Sequence, residues 1–158
     1  MEDEYSIHFT TQPTWSFVTT IQERVKVELK AYEQSIIESS EIAASELIEN
    51  AIKYGIATED APAVEFKFKC NSKHIEICVT NGIESIGSIN ELILCMEKIK
   101  TSTNKQELYI QRLQEILEQP NPSGSKLGLY RILSETEFDL SYKIEGQKLI
   151  VWAIRNIG

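Results

Sequence analysis

The sequence predicts an α/β two-layer sandwich, in which a mixed, mostly antiparallel sheet of about four or five strands is backed by helices. Two observations carry this. Strand–turn–strand patterns occur at 64–79 and 138–154, and apolar residues recur at helical spacing before and between them. With 158 residues, 42% of them hydrophobic, the chain suits a single domain over 1–158 enclosing one core.

The elements follow in order. Tyr5–Thr10 alternates as a first strand, and Phe17, Val18, Ile21, Val25, Leu29 and Tyr32 make an amphipathic helix after Trp15. Ser39 or Ser40 can cap a second helix that ends at Gly55. Val64, Phe66, Phe68 and Cys70 alternate with charged residues, as do Ile75, Ile77 and Val79 with His74 and Glu76, and the turn at 71–73 joins the two runs into a hairpin. Region 83–123 holds two helical patterns, Ile89–Ile99 and Gln106–Leu117, stopped by Pro120 and Pro122. Their spacing reads as a packed helix pair. The turn at Glu145-Gly146 joins Phe138–Ile144 to Leu149–Ile154, whose near-continuous apolar run predicts an inner strand covered on both faces.

Charge and composition exclude several classes. A net charge of −8 without a basic patch argues against nucleic-acid and anionic-membrane partners. The acidic start Met1–Tyr5 does not read as a signal peptide, and no run approaches the ~18 apolar residues of a membrane span, so a cytoplasmic protein is expected. Cys70, Cys78 and Cys95 lack zinc-ligand spacing and read as reduced thiols. His8 and His74 fall on strand positions without a Ser or Cys triad nearby.

Two segments carry chemistry. Along the helix from Ser45 to Gly55, spacing of 100° per residue gathers Glu46, Glu49, Asn50 and Lys53 on one face, opposite Ala44, Leu47, Ile48, Ala51 and Ile52. Asn50 offers a neutral oxygen to a hard cation such as Mg²⁺, Glu46 a carboxylate base and Lys53 a point charge, and the same pattern also describes a plain solvated face. Downstream, a loop with Gly124, Ser125, Lys126 and Gly128 runs into an apolar helical pattern made by Leu127, Leu129, Tyr130, Ile132 and Leu133. Free backbone N–H groups at such a junction can hold an anion, and they can equally be plain capping chemistry.

Together these segments resemble the N box and second glycine box of the Bergerat-fold (GHKL) ATPase and kinase superfamily. The helix motif matches at Glu46, Leu47, Asn50, Ala51, Lys53 and Tyr54, and the loop motif at Gly124, Leu127, Gly128 and Leu129, with Lys126 in place of the middle glycine. The chain as a whole looks like a SiaB-type stand-alone protein kinase, a relative of the anti-sigma-factor kinases. The resemblance departs at the first glycine box, where Thr80-Asn81-Gly82 stands in place of Asp-x-Gly. Asn81 or Thr80 can still accept a hydrogen bond there, and Asn81-Gly82 can also be no more than a turn.

The resemblance implies a histidine-kinase-like ATPase fold with 83–123 as ATP lid, and ATP and Mg²⁺ as cofactors. The implied activity is serine/threonine phosphorylation of a small anti-anti-sigma-like (STAS-type) protein in bacterial partner switching. Asn50 would hold the metal, Lys126 and the loop amides the phosphates, and Glu46 would take the proton of the partner hydroxyl. A homodimer is compatible with it. The altered adenine box motivates an alternative: a non-catalytic module, nucleotide-binding or nucleotide-free, that sequesters a regulatory partner.

Overall fold

The computed structural model describes residues 6–11, 15–101, 104–118, 129, 131–132 and 135–157. The strands are β1 (Ile7–Thr11), β2 (Val64–Cys70), β3 (His74–Gly82), β4 (Asp139–Glu145) and β5 (Lys148–Asn156). They form one sheet in the order β1-β2-β3-β5-β4. All four pairings are antiparallel, so the expected admixture of parallel strands is not found among the described residues. Helices α1 (Ser16–Glu28) and α2 (Gln34–Tyr54) separate β1 from β2, while α3 (Asn90–Thr101) and α4 (Lys105–Glu118) follow β3.

Register decides which side chains meet. Ile7 pairs with Phe68, Phe68 with Ile77, and Ile77 with Ala153, so one row of fully buried apolar residues crosses four strands. Two residues along, Phe66, Val79 and Val151 form a second such row. Each fully buried Phe in these rows contributes about 1.5–3 kcal/mol through apolar area removed from water. Onto this face α2 lays Ala44, Leu47, Ile48 and Ala51, and α1 covers the same layer with Ile21 and Val25.

Two expectations are corrected. The second helix begins at Gln34 rather than at Ser39 or Ser40, because Ile37 extends its apolar stripe by another turn and both serines are buried within it. Strand β5 is an inner strand, yet only Leu149, Val151 and Ala153 are buried, while Ile150, Trp152 and Ile154 on the other face are half-exposed. The helices cover one face of the sheet, which imposes a period-two burial pattern even on a continuously apolar run.

Within 83–123, α3 contributes Leu92, Cys95, Met96 and Ile99 to the core. Among the described residues no helix is long and apolar enough to cross a membrane. Cys70, Cys78 and Cys95 form no disulfide among the described residues.

Candidate functional site

Helix α2 supplies the site. Its buried stripe fixes the rotation of the helix, so Asn50 points into a chamber between α2, the sheet and α3, whereas Glu46 one turn earlier faces an outer cleft. Glu46 and Asn50 are thus near neighbours along one helix that open into two compartments.

The chamber has apolar walls: Leu47 and Ala51 of α2, Val79, Leu149 and Val151 of the sheet, and Leu92 and Met96 of α3. Its polar groups are two carboxamides, Asn50 and Asn81. Asn81 is 3% exposed and donates through Nδ2 to the carbonyl oxygen of Gly82 at 3.0 Å. The Nδ2 of Asn50 is buried with no hydrogen-bond partner among the described residues, a costly arrangement unless a further group completes it. The free volume is about 10 Å³, room for about one water molecule.

The outer cleft is larger, about 440 Å³, and lies between α1, α2 and Arg131. Glu38, Glu41, Glu46 and Glu49 line it, with Gln22 of α1 donating to Ser45 Oγ at 2.7 Å. Arg131 Nη1 donates to Glu46 Oε1 at 3.0 Å, and its Nε donates to Glu135 Oε2 at 2.6 Å. Burial, then the neighbouring Glu49 carboxylate, raise the Glu46 pKa above the ordinary glutamate value, and Arg131 opposes both.

The remaining residues singled out from sequence divide. Lys53 is exposed, its ammonium 5.3 Å above the Tyr54 ring and outside both compartments. Thr80 stands apart on the opposite face of β3, where register sets it beside Glu65 and Ile150 and its hydroxyl meets Cys78, whose thiol burial pushes up to about 11. Gly82 serves a close approach. A Cβ there would collide with the carbonyl oxygen of Ile56, whose own N–H donates to Gly82 O at 2.9 Å. Leu129 is buried in the core. Gly124, Ser125, Lys126, Leu127 and Gly128 lie outside the described residues.

Sequence reasoning missed Arg131. The one signal was its position three residues beyond Gly128, on the helical pattern that follows the glycine loop. No group of three or more His, Cys, Asp or Glu converges as a metal cage among the described residues. A Mg²⁺–nucleotide site needs none, since Mg²⁺ binds through one or two protein ligands plus phosphates.

No family model matches the chain, and no curated protein does. Among solved structures, the chain is similar to one in the crystal structure of the SiaB–SiaC complex from Pseudomonas aeruginosa. The TM-score is 0.68 and the identity 17%, over 98% of this chain and 92% of that one. The two share a fold.

Proposed function

We propose that this protein binds Mg²⁺–ATP between α2 and β3 and transfers the γ-phosphate to a serine or threonine of a small anti-anti-sigma-like protein. The observation that carries the reading is the convergence of Asn50 and Asn81, from two separate elements, on one apolar chamber, with the Asn50 amide buried and unpartnered among the described residues. Two carboxamides at the rim of an apolar slot suit a purine and its phosphates. The fold shared with a chain of a two-protein complex is consistent with a protein partner.

In this reading Asn50 serves the metal and phosphate end, and Asn81, its Nδ2 committed to Gly82, offers its side-chain oxygen to the adenine amino group. Mg²⁺, when bound, neutralises charge on the phosphate oxygens. Glu46 takes the proton of the partner hydroxyl as its oxygen bonds to the γ-phosphorus and the bond to the ADP oxygen breaks. Burial and Glu49 raise the proton affinity of that carboxylate above that of an ordinary glutamate, which strengthens it as a base.

The second reading, a module that sequesters a partner without catalysis, draws on the chamber's size. Leu92 and Met96 leave about 10 Å³ there, far below the roughly 300–1,000 Å³ of small-molecule sites. Nucleotide entry therefore requires α3 to move. Calorimetric titration of ATP with and without Mg²⁺ tests the nucleotide site that the first reading requires. Metal-dependent binding is expected, with Asn50→Ala weakening it about ten- to a hundredfold, as for a lost hydrogen bond to a charged group, about 1.5–3 kcal/mol. No heat of binding under either condition would leave the sequestering module.

A further inference from the structure

We propose that Arg131 is a positioning residue for Glu46: its guanidinium, braced by Glu135, fixes the Glu46 carboxylate in the outer cleft and ties it to the helix that follows the glycine loop. The contact stands on its own geometry, and its catalytic consequence rests on the kinase reading above.

Three observations carry the inference. The Glu46–Arg131 contact joins residues 85 apart in sequence at 3.0 Å, while the 2.6 Å bond from Nε to Glu135, one turn further on, fixes the plane of the guanidinium. A fork held at both ends loses little freedom when it grips a carboxylate. The backbone bearing Arg131 is anchored, because Leu129 and Ile132 are buried in the core and Thr136 Oγ1 donates to the Ile132 carbonyl. Among the described residues that line the cleft, Arg131 is the one cation facing four glutamates.

The charges around Glu46 indicate what this contact does. Its own helix contributes Glu49 at close range and Glu38 and Glu41 along the cleft. Helix α1 contributes the neutral Gln22, its nearby Lys26 being turned to Glu41 at 3.5 Å. Segment 129–135 contributes Arg131 and Glu135, and Tyr109 of α4 acts on Arg131. Everything at close range except Arg131 favours a protonated Glu46, and a protonated carboxyl cannot accept the hydroxyl proton. Arg131 thus orients the carboxylate and opposes the burial and the Glu49 charge that favour its protonated form.

The test uses the full chain, with Mg²⁺–ATP as probe and water as phosphate acceptor. Carboxyl NMR of glutamate-labelled protein, with the Glu46 signal assigned from Glu46→Gln, should show Glu46 titrating at higher pH in Arg131→Gln than in wild type. Arg131→Lys, which keeps the charge without the fork, should fall between them. Phosphate release should drop several-fold in Arg131→Gln at the acidic end of the profile and recover toward the alkaline end. An unchanged Glu46 midpoint in folded Arg131→Gln overturns the inference, as does a rate loss equal at every pH. If Arg131→Gln does not fold, the Arg131→Lys midpoint decides by the same criterion. Absence of any phosphate release counts against the kinase reading and leaves the midpoints to judge Arg131.

Discussion

Glu46 is half-buried on α2 with a second carboxylate beside it, and this combination has a consequence for folding as well as for chemistry. Burial, then Glu49, hold its folded pKa above 4.5, the ordinary value, against the pull of Arg131. A carboxyl with a raised folded pKa stabilises the fold most fully below its unfolded value, and this contribution is lost as pH rises through the folded one. Glu46→Gln should therefore gain stability relative to wild type as pH rises from about 4.5 toward 7. Thermal unfolding of both proteins across that range measures it, and a gap that narrows with rising pH would contradict the account. Asn50 and Asn81 were legible as candidates because each lies within a spaced motif. Thr80 was read as an alternative acceptor beside Asn81, yet strand alternation turns adjacent residues to opposite faces and sets the two apart. Arg131 was not. An arginine four residues before a glutamate on a helix reads as an ordinary surface pair, and nothing in local spacing reports a contact across 85 residues.

At the scale of elements, the end of the β4–β5 hairpin is clamped to the loop that follows α2. Gln147 N donates to Asp60 Oδ2 at 2.7 Å, Thr58 Oγ1 donates to Gln147 O at 2.9 Å, and Ile83 N donates to the same oxygen at 3.0 Å. The clamp needs Gly146, which has φ +58 and where an added Cβ would run into the Asp60 carboxylate. Gly146→Ala should cost about 1–2 kcal/mol for the left-handed conformation alone. Urea unfolding measures that loss, and an unchanged midpoint would show that the turn relaxes freely. The hairpin and its turn were readable from Glu145-Gly146 and the alternation on either side. The start of α2 was not, because Ser39 and Ser40 are good capping residues whose burial inside the helix is decided by tertiary packing through Ile37. The half-exposed face of β5 escaped for a similar reason: a continuous apolar run does not say how many of its faces receive a layer.

At the scale of the molecule, one layer of helices covers one face of the sheet, and α3 sits where the proposed nucleotide would bind. Leu92 and Met96 pack beside Asn50 and Asn81 and close the chamber to about 10 Å³. If binding requires α3 to withdraw, the measured affinity is the intrinsic affinity reduced by the fraction of molecules in the withdrawn state. Shortening a side chain that plugs the chamber should raise that fraction while weakening the core. Met96→Ala is suited to this, since Met96 is 4% exposed and truncation of a buried Met costs about 2–5 kcal/mol. The variant should therefore unfold at lower denaturant and yet bind Mg²⁺–ATP more tightly than wild type, two changes of opposite sign from one deletion. Calorimetry beside urea unfolding reads both. Loss of stability with unchanged or weaker binding would mean that α3 is simply part of the core, and the nucleotide would then have to be sought elsewhere or dropped from the function.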